Sequence, residues 1–189
     1  MNRTELHGMW NYFLMLESDL DNTSRFIEPA GQENTYSFEF AKLLILACTE
    51  VESVFKAICR ETKGEEVEGS IATYKEVILG KYPKIVETAV NVKRLGYNIE
   101  PFKGWDTGRL EWWGSYQHVK HSRGHFFAEA TYFNAVSALA ALYILIFYLG
   151  KITNIEFDNY TSKYIDSDYA YGHIIAGPFK KLPDFETKT

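Results

Sequence analysis

Ten consecutive residues hold Tyr116, His118, Lys120, His121, Arg123 and His125. Imidazole is the side chain whose ordinary titration falls near neutral pH, so these histidines could take or give a proton there. Lys120 and Arg123 could grip a phosphate or stabilise a developing anion. Together the set suits cleavage of RNA without a metal, because the ribose 2′-hydroxyl supplies the nucleophile. Spacings of three and four would put all three histidines on one face of an unbroken helix, and such a face can bind zinc. Gly124 interrupts that helix, no HExxH pair or acidic third ligand stands at the required spacing, and CxxC is absent. A metal-dependent hydrolase is thus the weakest of the chemical readings, and we expect neither metal nor cofactor. A plainer reading is positional. Lys120 and His121 would close a helix whose C-terminal dipole favours cations, and Arg123 would pair with Glu50 or Glu129.

Two further features bear on this cluster. Glu50 is a carboxylate within the apolar stripe Leu43, Leu46, Ala47, Val54, Ala57. Carboxylates are rarely buried unpaired, so Glu50 either reaches water at the edge of the stripe or pairs with His121, Lys120 or Arg123. Trp112 and Trp113 just upstream invite base stacking. Adjacent helical positions point about 100° apart, so core packing is expected of at least one, which leaves Trp113 as a stacking candidate. Tyr116, His118, His125 and Trp113 are the expected binding residues; His121, Arg123, Lys120 and Glu50 are the expected catalytic set.

The elements that must position them follow from periodicity. Leu6, Trp10, Phe13, Leu14 and Leu20 recur at helical spacing over 4–27, which Pro29 and Gly31 end. Ser37 reads as the N-cap of a second helix running to about Thr62, with Glu39 in its first turn and Gly64 beyond its end. After the acidic loop GEEVEG, Ser70 caps a short helix from Ile71 to Leu79. Alternation at Val86, Thr88, Val90 and Val92, resumed at Tyr97 and Ile99, predicts a small hairpin within 85–101. A helix from Leu110 to about His121 breaks near Ser122-Arg123-Gly124, and a longer one runs from about Phe126 to Lys151. That last helix is apolar almost all round, as a central bundle helix should be. Phe133 to Leu149 also approaches the minimum length of a membrane span; Asn134, Ser137 and the many alanines favour a buried core helix instead. The fold expected is mainly α, a bundle over 1–152 with the hairpin inserted, and an irregular arm over 153–189 packed on it.

Composition sets the outer limits. A formal charge of −5 excludes a protein that coats nucleic acid generally, and leaves only 118–125 as a local basic patch. Cys48 and Cys59 lie on one helix about 16 Å apart, beyond disulfide reach. Two cysteines without a framework, and no apolar secretory stretch in MNRTELHGMW, suggest the cytoplasm.

The pattern Trp112, Trp113, Tyr116, Val119, Lys120, His121, Arg123, followed by the Phe/Ala-rich helix, resembles a group of bacterial proteins similar to the HEPN (higher eukaryotes and prokaryotes nucleotide-binding) superfamily. The stretch from Tyr36 to Cys59, with Ser37, Glu50 and Lys56, supports the same resemblance, which covers roughly two thirds of the chain. The resemblance implies a four- to five-helix bundle, often a homodimer, that binds RNA or nucleotides. It also implies a bacterial defence or toxin–antitoxin setting, where some members are metal-independent ribonucleases. Catalytic members carry Arg, four to six residues, then His. Here Arg3 meets His7 too soon, Arg109 meets His118 too late, and a single residue separates Arg123 from His125. Any activity would use a rearranged set such as His121 and Arg123, with Glu50 orienting it. The competing reading is a non-catalytic helical module for dimerisation or a partner protein.

Overall fold

The computed structural model describes residues 1–155 and 165–166. It is mainly helical: α1 (Arg3–Thr23), α2 (Phe38–Lys63), α3 (Ile71–Lys81), α4 (Glu111–Phe126) and α5 (Tyr132–Ile152), with a small antiparallel sheet. The remainder of the expected C-terminal arm, 156–164 and 167–189, lies outside the described residues.

Helix α5 is the centre. Every residue from Ala135 to Gly150 is buried, and α1, α2 and α4 all pack against it. By length and composition α5 could cross a membrane, but 89% of its most apolar stretch is buried inside the protein. Its alanines allow α2 to approach closely, and α2 forms its broadest contact. Caps set the helix ends. Asn2 and Glu5 form a reciprocal capping box at α1, and Ser37 accepts from the Phe40 amide at α2. Gly64 takes the left-handed conformation, φ +79, that ends α2.

The hairpin is narrower than its alternation predicts. Strands β1 (Val90–Val92) and β2 (Tyr97–Ile99) pair Val90 with Ile99 and Val92 with Tyr97. Residues 83–87 form a 3-10 turn instead of an extended strand. Pro83 fixes φ near the value that turn needs, and Thr88 then buries its hydroxyl against the Lys84 carbonyl and the Tyr148 hydroxyl. A third strand, β3 (Ile165–Asp166), lies antiparallel on the free edge of β1, giving the order β2-β1-β3. The Ile165 amide also donates to Oε1 of Glu17, at 3.2 Å. Glu17 is only 3% exposed, so this carboxylate on α1 obtains in the interior some of the hydrogen bonding that burial demands.

The loop after the hairpin builds core. Phe102 and Trp105 are buried, and Trp105 stacks on Phe55 of α2 with centroids 5.3 Å apart. Trp112 and Trp113 complete the layer. Trp112 donates its indole N–H to the Pro101 carbonyl at 2.8 Å; Trp113 meets Tyr116 edge-on at 5.1 Å. This aromatic layer fixes the start of α4.

Candidate functional site

Helix α4 carries the cluster and breaks inside it. Ser122 has φ −150 and ψ 51, so the regular helix stops at His121 and resumes only for the turn up to Phe126. A 3-10 turn, Phe127–Glu129, follows. Helix α5 therefore begins at Tyr132 rather than near Phe126. The reason is local: the Thr131 side chain accepts from the Asn134 amide, and Asn134 Nδ2 donates to the Glu129 carbonyl at 2.8 Å. Polar capping holds residues 127–131 out of α5, apolar Phe127, Ala128 and Ala130 among them.

The break divides the charged residues. Before it, Lys120 donates to the Tyr116 hydroxyl at 2.9 Å. That bond is the leading reason its pKa is raised, which keeps it cationic. Tyr116 itself is fully buried and Trp113 nearly so. Both belong to the aromatic layer, where a ligand base has no access to their faces. His118 directs Nδ1 at both Glu129 oxygens, 2.9 and 3.2 Å away, and stacks on Phe126 at 4.5 Å and 24°. His121 is exposed. Beyond the break, His125 meets Phe126 edge-on at 4.8 Å, so that ring sits between two imidazoles. Arg123 lies over the ring of Phe38, 5.7 Å from its centroid.

Glu50 is not part of this group. Lys120 interacts electrostatically with Glu52 and Cys48, so α4 faces that side of α2. Residues two apart on a helix point about 200° apart, which turns Glu50 away from both of those positions. It is half-buried, makes no ion pair or hydrogen bond among the described residues, and burial alone pushes its pKa up. The structure thus places it at the edge of the stripe rather than beside His121, Lys120 or Arg123. Arg123 in turn pairs with neither Glu50 nor Glu129; Glu129 is engaged by His118.

What periodicity did not single out is an exposed aromatic group. Tyr36 and Phe38 flank the Ser37 cap, 51% and 70% exposed, and Phe127 stands between them at 5.3 and 4.6 Å. Backbone bonds tie this loop to the start of α5: Tyr132 N–H to Thr35 O at 2.8 Å, Phe133 N–H to Glu33 O at 2.9 Å. Beside Tyr36, residues 31–36 line a depression of about 380 Å³. The signal in the sequence was the Tyr36-Ser37-Phe38 order, an aromatic on each side of the N-cap.

Among the described residues no three His, Cys, Asp or Glu side chains gather as a metal site. Cys48 and Cys59 are buried free thiols, the first pushed well above its ordinary pKa by burial and the second to about 11. Neither is poised as a nucleophile. Comparison of the chain with protein-family models, curated proteins and solved structures gives no match.

Proposed function

We propose that this chain is an RNA- or nucleotide-interacting helical protein of HEPN-like type. Its contact surface is the α4 break together with the cap of α2. The observation that carries this reading is the surface group of Arg123 over the exposed Phe38, with exposed Tyr36 and half-buried Phe127 beside it, and Lys120, His121 and His125 within three residues of Arg123. Aromatic faces stack on any unpaired base, and neighbouring cations neutralise its phosphates. Arg123 forms no ion pair among the described residues, so its charge is not spent internally. The chain is acidic overall, so attraction of nucleic acid must be local to this surface. The HEPN-like assignment rests on the sequence pattern Trp112, Trp113, Tyr116, Val119, Lys120, His121, Arg123. With it come a cytoplasmic homodimer and a bacterial defence or toxin–antitoxin role.

The test is fluorescence anisotropy with a labelled single-stranded RNA of mixed sequence, titrated at two salt concentrations. The expected result is binding that weakens with salt, and that weakens further in Phe38→Ala and Arg123→Ala. Binding insensitive to both substitutions would remove this surface from the reading.

A second reading is a module that binds a partner protein. It is favoured by a separate exposed apolar position, Phe26 beyond α1, 87% exposed. No binding of RNA or mononucleotides even at low salt would make it the better one.

A further inference from the structure

We infer that His118 and Glu129 form a proton-transfer pair, with His118 rather than His121 taking the proton from a bound ribose 2′-hydroxyl; this rests on the RNA-binding reading above. The carboxylate of Glu129 faces Nδ1 with both oxygens, at 2.9 and 3.2 Å. A carboxylate accepts, so Nδ1 carries the proton, and in the neutral ring Nε2 then holds the lone pair a base requires. The ring is fixed in a second direction by its stack on Phe126, 4.5 Å and 24°. Glu129 is itself held, because its carbonyl accepts from Asn134 Nδ2 and the next residue bonds back to Phe127. Nε2 meets no hydrogen-bonding partner among the described residues, and the side chain is 43% exposed. An oriented imidazole with one nitrogen bound by carboxylate and the other open is the arrangement that general-base catalysis uses. His121 has no orienting contact among the described residues and is exposed.

His121 stands three residues on, still within the regular part of α4. Such neighbours have Cβ atoms about 5–6 Å apart, which suits a base and an acid acting on one phosphodiester. Nε2 of His118 takes the 2′-hydroxyl proton as the 2′-oxygen bonds to phosphorus. The bond from phosphorus to the 5′-oxygen breaks, and that oxygen takes a proton from His121 in its imidazolium form. The products are a 2′,3′-cyclic phosphate and a 5′-hydroxyl. Proton exchange with water restores both rings, and no metal or co-reactant enters. Glu129 touches no reacting atom; it is a positioning residue that also stabilises His118 once protonated.

The experiment uses the full chain in EDTA with a labelled oligodeoxynucleotide holding one ribonucleotide, followed over a range of pH, with RNA binding measured alongside by anisotropy. Wild type should cleave 3′ of the ribonucleotide and leave a cyclic phosphate, and a 2′-O-methyl substrate should stay intact. His118→Asn should lose about 100-fold or more in rate and lose the limb of the pH profile that rises with pH, while still binding RNA. Glu129→Gln keeps an acceptor, yet its amide can also donate to Nδ1 and impose the wrong tautomer. It should therefore lower the rate by about 10- to 100-fold with binding retained. Wild type that binds RNA without cleaving it overturns the pair and leaves the binding reading standing. So does a folded His118→Asn that cleaves at the wild-type rate. Wild type that does not bind RNA overturns both.

Discussion

Two aromatic groups in this protein use the same residue types for opposite ends. Phe55, Phe102, Trp105, Trp112 and Trp113 lie buried in one layer, with rings 5.3–6.4 Å apart and an indole N–H bonded to a carbonyl. Tyr36 and Phe38 sit on the surface at comparable spacing about half-buried Phe127, with Arg123 over the Phe38 ring. Ring-to-ring geometry therefore does not separate structure from function here. Access to water does. The buried group has nothing left to offer a ligand, whereas Tyr36 and Phe38 each keep half or more of their surface in water.

That contrast can be broken most forcefully at Trp105. Trp105→Ala should cost about 3–5 kcal/mol of unfolding free energy, read from the denaturant midpoint. A change below 1 kcal/mol would mean the layer is not core. A milder probe is Trp112→Phe, which keeps the ring but leaves the Pro101 carbonyl without its donor. It should cost about 1–3 kcal/mol by the same measurement. Phe38→Ala should show the reverse profile. Its stability should change by no more than about 0.5 kcal/mol, while affinity for single-stranded RNA should fall about 5- to 150-fold, the range of one lost base stack. If Phe38→Ala unfolds the protein while RNA affinity per folded molecule is unchanged, the comparison fails.

The smallest effect concerns a carboxylate. Burial raises the Glu50 pKa above its ordinary 4.5, so folding disfavours its charged form relative to the unfolded chain. The penalty is fully present above the folded-state pKa, shrinks as pH falls through it, and vanishes below the unfolded value. Glu50→Gln should raise the melting temperature slightly at neutral pH, by the equivalent of about 0.5 kcal/mol, with no difference below about pH 4. A destabilised variant at pH 7 would instead reveal a cationic partner for Glu50.

Much of the local structure was legible. Helix caps at Ser37 and Ser70, the stop at Gly64, the break at Ser122 and the buried character of α5 all follow from side-chain chemistry within a few residues. The first helix ends at Thr23 rather than Ile27, and α5 starts at Tyr132 rather than Phe126. Local polar bonds, Thr23 Oγ1 to the Leu20 carbonyl and the Thr131 cap, override apolar periodicity at both places. The hairpin lost its first residues to the turn that Pro83 permits.

The candidate site was legible only as a stretch of chain. Its residues could be named because their types are chemically distinctive at any position. Their partners could not, since those come from elsewhere: Phe38 from α2 beneath Arg123, Glu129 from the turn beyond the break against His118, and Glu52 rather than Glu50 on the side of α2 that faces Lys120. Sequence alone determined what is short-range, namely caps, breaks, the apolar centre and the list of groups able to move protons or hold phosphate. The tertiary structure decided which of those groups face each other and which are covered. Helix rotation changes direction by about 100° per residue, so Glu50 and Glu52, two positions apart on α2, face different neighbours.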